Sequence, residues 1–430
     1  MSSEKTMRID MSIFQGLLAI SAAALFLVGC GAPTDSQAQN ESPKVAASDA
    51  SSGSAQCKPL ETRPTETKYK PAVEGQTRAP CVNSNVDFTT TVLTKKLDRP
   101  WAVEPLPDGN LLVTEKTGQL RIVSQDGKIG PAIKGVPKVD SRDQGGLLDV
   151  ALSPSFESDR TIYWTFTEPR DGGNGTSVAK GVLSEDGTQL NNVKVILHTR
   201  PTYDNNMHYG SRIAFDPEGM LFVTTGERSD LETRPQAQHL DSHFGKVLRI
   251  TPNGEPAPGN PFIGQADALP EIWSYGHRNI QAAAIDSQGR LWEIEHGPRG
   301  GDELNQPEKG KNYGWPLATY GIEYSGNIIT TNEPHREGLE QPVYYWDPVI
   351  APSGAEFYEG SAFPEWKDSL FVGALKEMRL VRLELEDGRV VGEEHLLKDK
   401  GQRIRDVREG SDGMLYVVTD GGQLIKLSPK

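Results

Sequence analysis

The stretch Asn206–Glu227, NMHYGSRIAFDPEGMLFVTTGE, decides how this chain folds. Two short apolar, β-rich runs flank the turn signal Asp216-Pro217-Glu218-Gly219, which predicts an antiparallel hairpin. Counted from Glu218, His208 lies ten residues back and Glu227 nine forward, so the register brings an imidazole and a carboxylate to the same open end.

The phrase returns along the chain. WAVEPLPDGNLLVTE starts at Trp101, QAAAIDSQGRLWEIEHG at Gln281 and RDVREGSDGMLYVVTDGG at Arg405, each a strand, an acidic or Ser-containing Gly turn, and a second strand. Looser copies begin at Gly146 and Ser353, where the turn is longer. Six such units tens of residues apart predict an all-β, six-bladed β-propeller. The unequal spacing implies long inter-blade insertions, and loops on a rigid scaffold are where binding and chemistry concentrate.

Ahead of the repeats the chain changes character twice. Lys5 and Arg8, the apolar run Ile13–Val28 and LVGC ending at Cys30 resemble a bacterial lipoprotein signal, which implies lipidation of Cys30, removal of residues 1–30 and a periplasmic, membrane-tethered protein. The run is shorter than the roughly twenty apolar residues that span a bilayer. Gly31 after the cysteine points to the outer membrane. Residues 31–85 are rich in Ser, Ala, Gln, Pro and Thr without hydrophobic period and are expected to form a flexible tether, leaving 86–430 for the propeller. Cys57 and Cys81 within that tether could pair in an oxidising compartment or remain free thiols.

The chain has a formal charge of −14, which argues against a nucleic-acid partner. Any anionic ligand therefore needs a local basic site. If the blades are equivalent, their open ends gather His208, Glu227, Gln144, Arg278, Asn279, Arg403 and Arg405 on one face, together with the Gly297-Pro298 loop followed by Asp302 and Glu303. Several arginines converging in an acidic protein imply a ligand with several carboxylates or phosphates. The carbonyls and carboxylates of GPRGGDE suit a hard cation such as Ca²⁺. No strand-linked G-x-G-x-x-G and no βαβ alternation supports NAD, and no G-x-S-x-G elbow supports a serine hydrolase.

At these residues the sequence resembles the soluble pyrroloquinoline quinone (PQQ)-dependent sugar dehydrogenases of the glucose/sorbosone dehydrogenase family, nearest their aldose sugar dehydrogenase branch. The motifs DQGGLLDVALSP, HYGSRIAFDPEG, FGKVLRI, YGHRNIQ, EHGPRGGDELN, KNYGWP and RIRDV carry the resemblance between about Val92 and Leu427. It implies a six-bladed propeller that oxidises aldoses at C1 to the lactone, with PQQ and Ca²⁺ as cofactors and an electron acceptor it leaves unspecified. His208 becomes the general base and Glu227 the residue that orients it. Gln144 and Arg278 fall near substrate and quinone, and Asn279, Lys376, Arg403 and Arg405 at cofactor-binding positions. The carbonyls of Gly297 and Pro298 match ligands of the cofactor's calcium, Glu303 and Tyr313 a second, structural calcium site, and Tyr344 and Trp346 cofactor or substrate contacts. Met207 stands where the family has an acidic residue, which removes one sugar contact from the implied set. A calcium-dependent sugar lactonase and a non-catalytic interaction propeller remain as other functions such a scaffold serves.

Overall fold

In the computed structural model, residues 57–329 and 333–430 are described. The strands expected from the repeat are present, and they stack as six antiparallel sheets, five of four strands and one of three among the described residues. The innermost strands are Pro100–Pro105, Leu147–Leu152, Gly210–Phe215, Ile280–Ile285, Pro352–Phe357 and Ile404–Glu409 for blades 1 to 6. Each touches the inner strand of the next blade, and that of blade 6 touches that of blade 1, so the ring closes. Hydrogen bonding between distant parts of the chain also closes the ring: Phe88–Thr94 supplies the outer strand of blade 6 by pairing with Leu424–Pro429.

The sequence of each blade follows from where its strands sit. The second strands of blades 1, 3, 4, 5 and 6 (Leu111–Glu115, Leu221–Thr225, Leu291–Glu295, Leu370–Ala374 and Leu415–Thr419) are buried at every position, because each is covered by neighbouring blades on both faces. Such a strand reads as a near-continuous apolar run, without alternation. The turn to it needs a left-handed residue, supplied by Gly109, Gly219, Gly289 and Gly413 at φ between 73 and 84°. At the opposite end every inner hairpin carries a register shift, which unpairs the ladder there and re-aims the adjoining side chains. Below that end Arg212 acts as an axial bolt. It pairs with Asp149 and Asp406 at 3.0 Å each, donates to the Gln281 carbonyl at 2.7 Å and lies 4.0 Å over the Trp101 ring, joining five blades.

The part of the expected tether that the structure describes differs from expectation. Residues 57–85 are bound to the propeller, and the described residues all fall within one compact unit. Cys57 and Cys81 form a disulfide with Cα atoms 5.1 Å apart. Backbone bonds run from Tyr345 N–H to the Gln76 carbonyl (2.9 Å) and from Val82 N–H to that of Glu393 (3.1 Å), so this strap lies along the outer strands of blades 4 and 5. Its polar composition hides the fit because the apolar partners are on the propeller, while the strap contributes backbone groups and polar and charged side chains. The signal segment, Cys30 and residues 31–56 of the expected tether lie outside the described residues. Among those described, no helix is long and apolar enough to cross a membrane.

Candidate active site

The open ends of the blades surround a cavity of about 300 Å³ on the propeller axis. Two positions of the repeat build its wall. The second residue of the inner strand contributes Trp101, Leu148, Gln281 and Arg405, and the first residue past the second strand contributes Lys116, His296, Leu375 and Asp420. Asp143, Gln144, Tyr209 and Arg403 complete the polar lining. The guanidiniums of Arg403 and Arg405 both donate to Asp420, at 2.8 Å to its two oxygens. Burial, with Arg405 and Arg99 nearby, lowers the Lys116 ammonium to about 8. Cations outnumber carboxylates here in a chain that is acidic overall. A larger groove of about 510 Å³ between blades 1 and 2 lies on the turn side, where Lys128 and Arg160 are outnumbered by acidic side chains.

His208 and Glu227 meet as the hairpin register requires. Gly210 pairs with Thr225 and Phe215 with Leu221, which leaves His208 two residues before one strand and Glu227 two after the other. His208 Nδ1 lies 2.9 Å from Glu227 Oε2, and both residues are buried. His208 is held in the left-handed region, at φ 49°, and its N–H donates to Gln144 Oε1 at 2.9 Å. A non-glycine residue in that region costs free energy and persists where the surroundings over-determine it. Burial lowers the imidazole below its ordinary value against the pull of Glu227, and Arg278 adds to the lowering. Burial of Glu227 is outweighed by His208, Arg278 and the Ser229 N–H, which hold its carboxyl below the usual range. A neutral ring that donates through Nδ1 to a carboxylate carries its lone pair on Nε2.

Arg278 and Asn279 come from the next blade. Arg278 Nη1 donates to the carbonyls of His296 and Gly297, 2.9 Å each, while Asn279 Oδ1 accepts from the Gly210 N–H at 3.1 Å. Asn279 Nδ2 is buried without an acceptor. The loop after Gly297 is fixed by Asp302, whose oxygens accept from the N–H groups of Gly297, Ile350 and Ala351, all at 2.8 Å. Neighbouring carbonyls that already draw in a guanidinium are a donor set that fits a hard cation.

Blade 4 holds a second group of oxygens. Glu293 lies opposite Asn305 and Glu295 opposite Glu303 in the ladder, so their side chains share one face of the sheet. His277 Nδ1 is 3.3 Å from Glu293 and 3.4 Å from Glu295, and its ring stacks on Tyr313 at 4.8 Å. Burial, then Glu295 and Glu293, push Glu303 well above the carboxylate range. Glu293 Oε2 and Asn305 Oδ1 are buried with no donor. Three carboxylates and two orphaned oxygens fit a cation at the Glu303/Tyr313 site.

Two expected contacts lie elsewhere. Tyr344 and Trp346 are buried in the core between blades 4 and 5, with the Tyr344 hydroxyl donating to Glu393 at 3.0 Å and accepting from the Ala79 N–H at 3.0 Å. Neither lines the axial cavity, because Tyr344–Trp346 is the outermost strand of blade 4, at the far edge of the sheet from the inner strand Ile280–Ile285. Lys376 is exposed and follows the wall residue Leu375. Lys116, His296, Asp420 and Trp101 are among the wall residues that sequence reasoning passed over. The signal was available, since aligning the six copies puts Lys116, His296 and Asp420 at one repeat position.

A model of the family described as Glucose / Sorbosone dehydrogenase matches residues 97–426. The chain belongs to that family. It is 45% identical over 345 residues to the aldose sugar dehydrogenase YliI of Escherichia coli K12, covering 79% of this chain and 92% of the relative. A solved glucose dehydrogenase superposes with a TM-score of 0.77 at 47% identity, over 80% of this chain and 99% of the other. The PQQ-bound aldose sugar dehydrogenase of Streptomyces coelicolor gives 0.64 at 31% identity, over 80% and 99%. Six blades, strand repeat and family agree.

Proposed function

We propose that this protein is a PQQ- and calcium-dependent aldose dehydrogenase that oxidises the sugar at C1 to the lactone, with His208 as general base. The observation that carries this reading is a buried, neutral histidine, oriented by Glu227, beside a cation-lined cavity. The relatives, an aldose sugar dehydrogenase and a PQQ-bound aldose sugar dehydrogenase among them, support the same reading.

Arg403, Arg405 and Lys116 would hold the carboxylates of PQQ, with Asn279 Nδ2 as a further donor. The carbonyls of Gly297 and Pro298 would hold Ca²⁺, from which Arg278 would have to withdraw at least one hydrogen bond. When bound, PQQ supplies a two-electron acceptor for the C1 hydride and Ca²⁺ a Lewis acid on its quinone. His208 takes the proton of the anomeric hydroxyl on Nε2, and Glu227 stabilises the resulting imidazolium while keeping the ring's orientation. Gln144 fixes the His208 backbone and so the aim of the ring. Glu303 and Tyr313 would hold the second, structural calcium.

The test is to load full-length protein with PQQ and Ca²⁺ and supply an aldose with an artificial electron acceptor. Acceptor reduction and lactone formation that vanish on chelation and ignore NAD(P) are expected. Lactone hydrolysis without PQQ would instead establish a lactonase. We also infer lipidation of Cys30 and a periplasmic, lipid-anchored location, which the native protein's N-terminal mass decides. An unmodified Met1 or Met7 terminus would refute it.

A further inference from the structure

The strap over blades 4 and 5 precedes the family-matched region, which begins at residue 97, yet it reaches the Gly297–Gly301 loop. Arg299 Nε is 2.6 Å from Glu66 Oε2. Asp347 Oδ1 accepts from the Glu66 N–H at 2.8 Å, and its Oδ2 accepts from the Thr67 hydroxyl at 2.9 Å and the Thr67 N–H at 3.2 Å. Gly300 sits in the notch between them at φ 85°. A Cβ there would lie 3.1 Å from Asp347 Oδ1 and 3.2 Å from the Thr67 methyl. The Gly301 N–H donates to the Trp346 carbonyl at 3.0 Å. So the loop is braced from within by Asp302 and from without by Glu66, Thr67 and Asp347.

The same limb of the strap reaches the wall on the blade 5 side. Arg63 pairs with Glu377 at 2.8 Å, two residues past the cavity residue Leu375, and Arg78 donates to the carbonyl of Asp347 at 2.9 Å. The disulfide ties Cys57 at the start of this limb to Cys81, whose backbone bridges Glu393 of blade 5. A Gly-Pro-Arg-Gly-Gly loop with two left-handed glycines has many conformations open to it, and fixing them in advance lets a ligand bind without meeting that entropy cost.

We propose that Glu66 and Thr67 are positioning residues for the Gly297 and Pro298 carbonyls, and that the disulfide-closed strap is a clamp that raises the loop's affinity for its divalent cation. This rests on the reading of that loop as the calcium site. Groups that orient metal ligands from behind typically change metal affinity about 10- to 100-fold when removed.

The experiment is a calcium titration of the full-length protein, read by calorimetry and by calcium-dependent retention of PQQ, for wild type, E66Q/T67V and C57S/C81S. The cation concentration for half-loading is expected to rise about 10-fold in E66Q/T67V, with kcat at saturating calcium and PQQ near that of wild type and partial recovery in E66Q/T67S, which restores the hydroxyl. C57S/C81S should move half-loading in the same direction. An unchanged titration in E66Q/T67V overturns the clamp. So does an equal fall in kcat at saturation, which marks general damage to the site. Should the double variant fail to fold, E66Q alone, nearly isosteric, gives the same readout. A wild-type protein that binds neither calcium nor PQQ defeats the underlying calcium reading, an outcome distinct from wild-type binding that the variants share.

Discussion

Two buried histidines, His208 and His277, stand at the open ends of adjacent blades, each with Nδ1 directed at glutamate, and their surroundings push them in opposite directions. His208 faces one carboxylate with Arg278 and Arg228 nearby, and burial lowers it. His277 faces Glu293 and Glu295, whose hydrogen bonds and charge outweigh burial and push it up to about 9. Burial is common to both, so the balance of neighbouring charge decides which histidine is a base and which a fixed cation. The first site can accept a proton in a reaction, whereas the second already holds one and its carboxylates await positive charge. A lone histidine in sequence carries neither meaning.

The largest expected effect separates the two sites by chemistry. Replacing His208 with Ala removes the base and should lower kcat about 10²- to 10⁴-fold, while PQQ retention survives because Arg403, Arg405 and Lys116 belong to blades 6 and 1. Titration with PQQ followed by steady-state sugar oxidation separates binding from turnover. Near-normal kcat at saturating PQQ would make the His208/Glu227 pair structural and erase the contrast with His277.

A smaller effect is expected from Glu227→Gln. The carboxylate raises the His208 value against burial, so losing it should weaken the base by roughly 10-fold, the equivalent of about one pKa unit. The sign also shows in the pH profile. His208 is active when neutral and its folded value lies below the ordinary 6.5, so wild-type kcat/KM should hold as pH falls through 6.5 and decline only at lower pH. In Glu227→Gln this acid limb should move further down, and an upward move would contradict the assigned charge balance.

Much of this was legible before any coordinates. The hairpin turn at Asp216–Gly219 fixes the register of His208 and Glu227, and the recurrence of strand–Gly turn–strand sets the blade count, because both depend on local spacing. What stayed hidden depends on neighbours distant in sequence. Tyr344 and Trp346 lie on the outermost strand of blade 4, and nothing in their own segment says how far that strand sits from the axis. Residues 57–85 have no hydrophobic period to announce them, since they dock through backbone groups on Tyr344, Tyr345, Asp347 and Glu393. Lys116, His296 and Asp420 differ in chemistry at one repeat position, so their shared place on the wall emerges only when the copies are superposed.

The smallest effect on turnover is expected at the second buried histidine, whose contact with glutamate resembles that of the active pair. His277→Gln removes a buried cation from between Glu293 and Glu295, leaving the glutamates with their Asn305 and backbone donors and without their cationic partner. Breaking a buried ion pair in this way costs about 3 kcal/mol or more, so the metal-free variant should melt at lower temperature than wild type. Added calcium should close part of that gap if Glu303 and its neighbours take the ion, because the metal supplies the charge the imidazolium had provided. At saturating calcium and PQQ, kcat should stay within about 3-fold of wild type, since His277 lies under Tyr313 and takes no proton from substrate. Thermal melts with and without calcium, set beside kcat at saturation, decide the matter. A loss of kcat as deep as that of His208→Ala, with melting unchanged, would reverse the roles of the two histidines and move the proton-accepting site from blade 3 to blade 4.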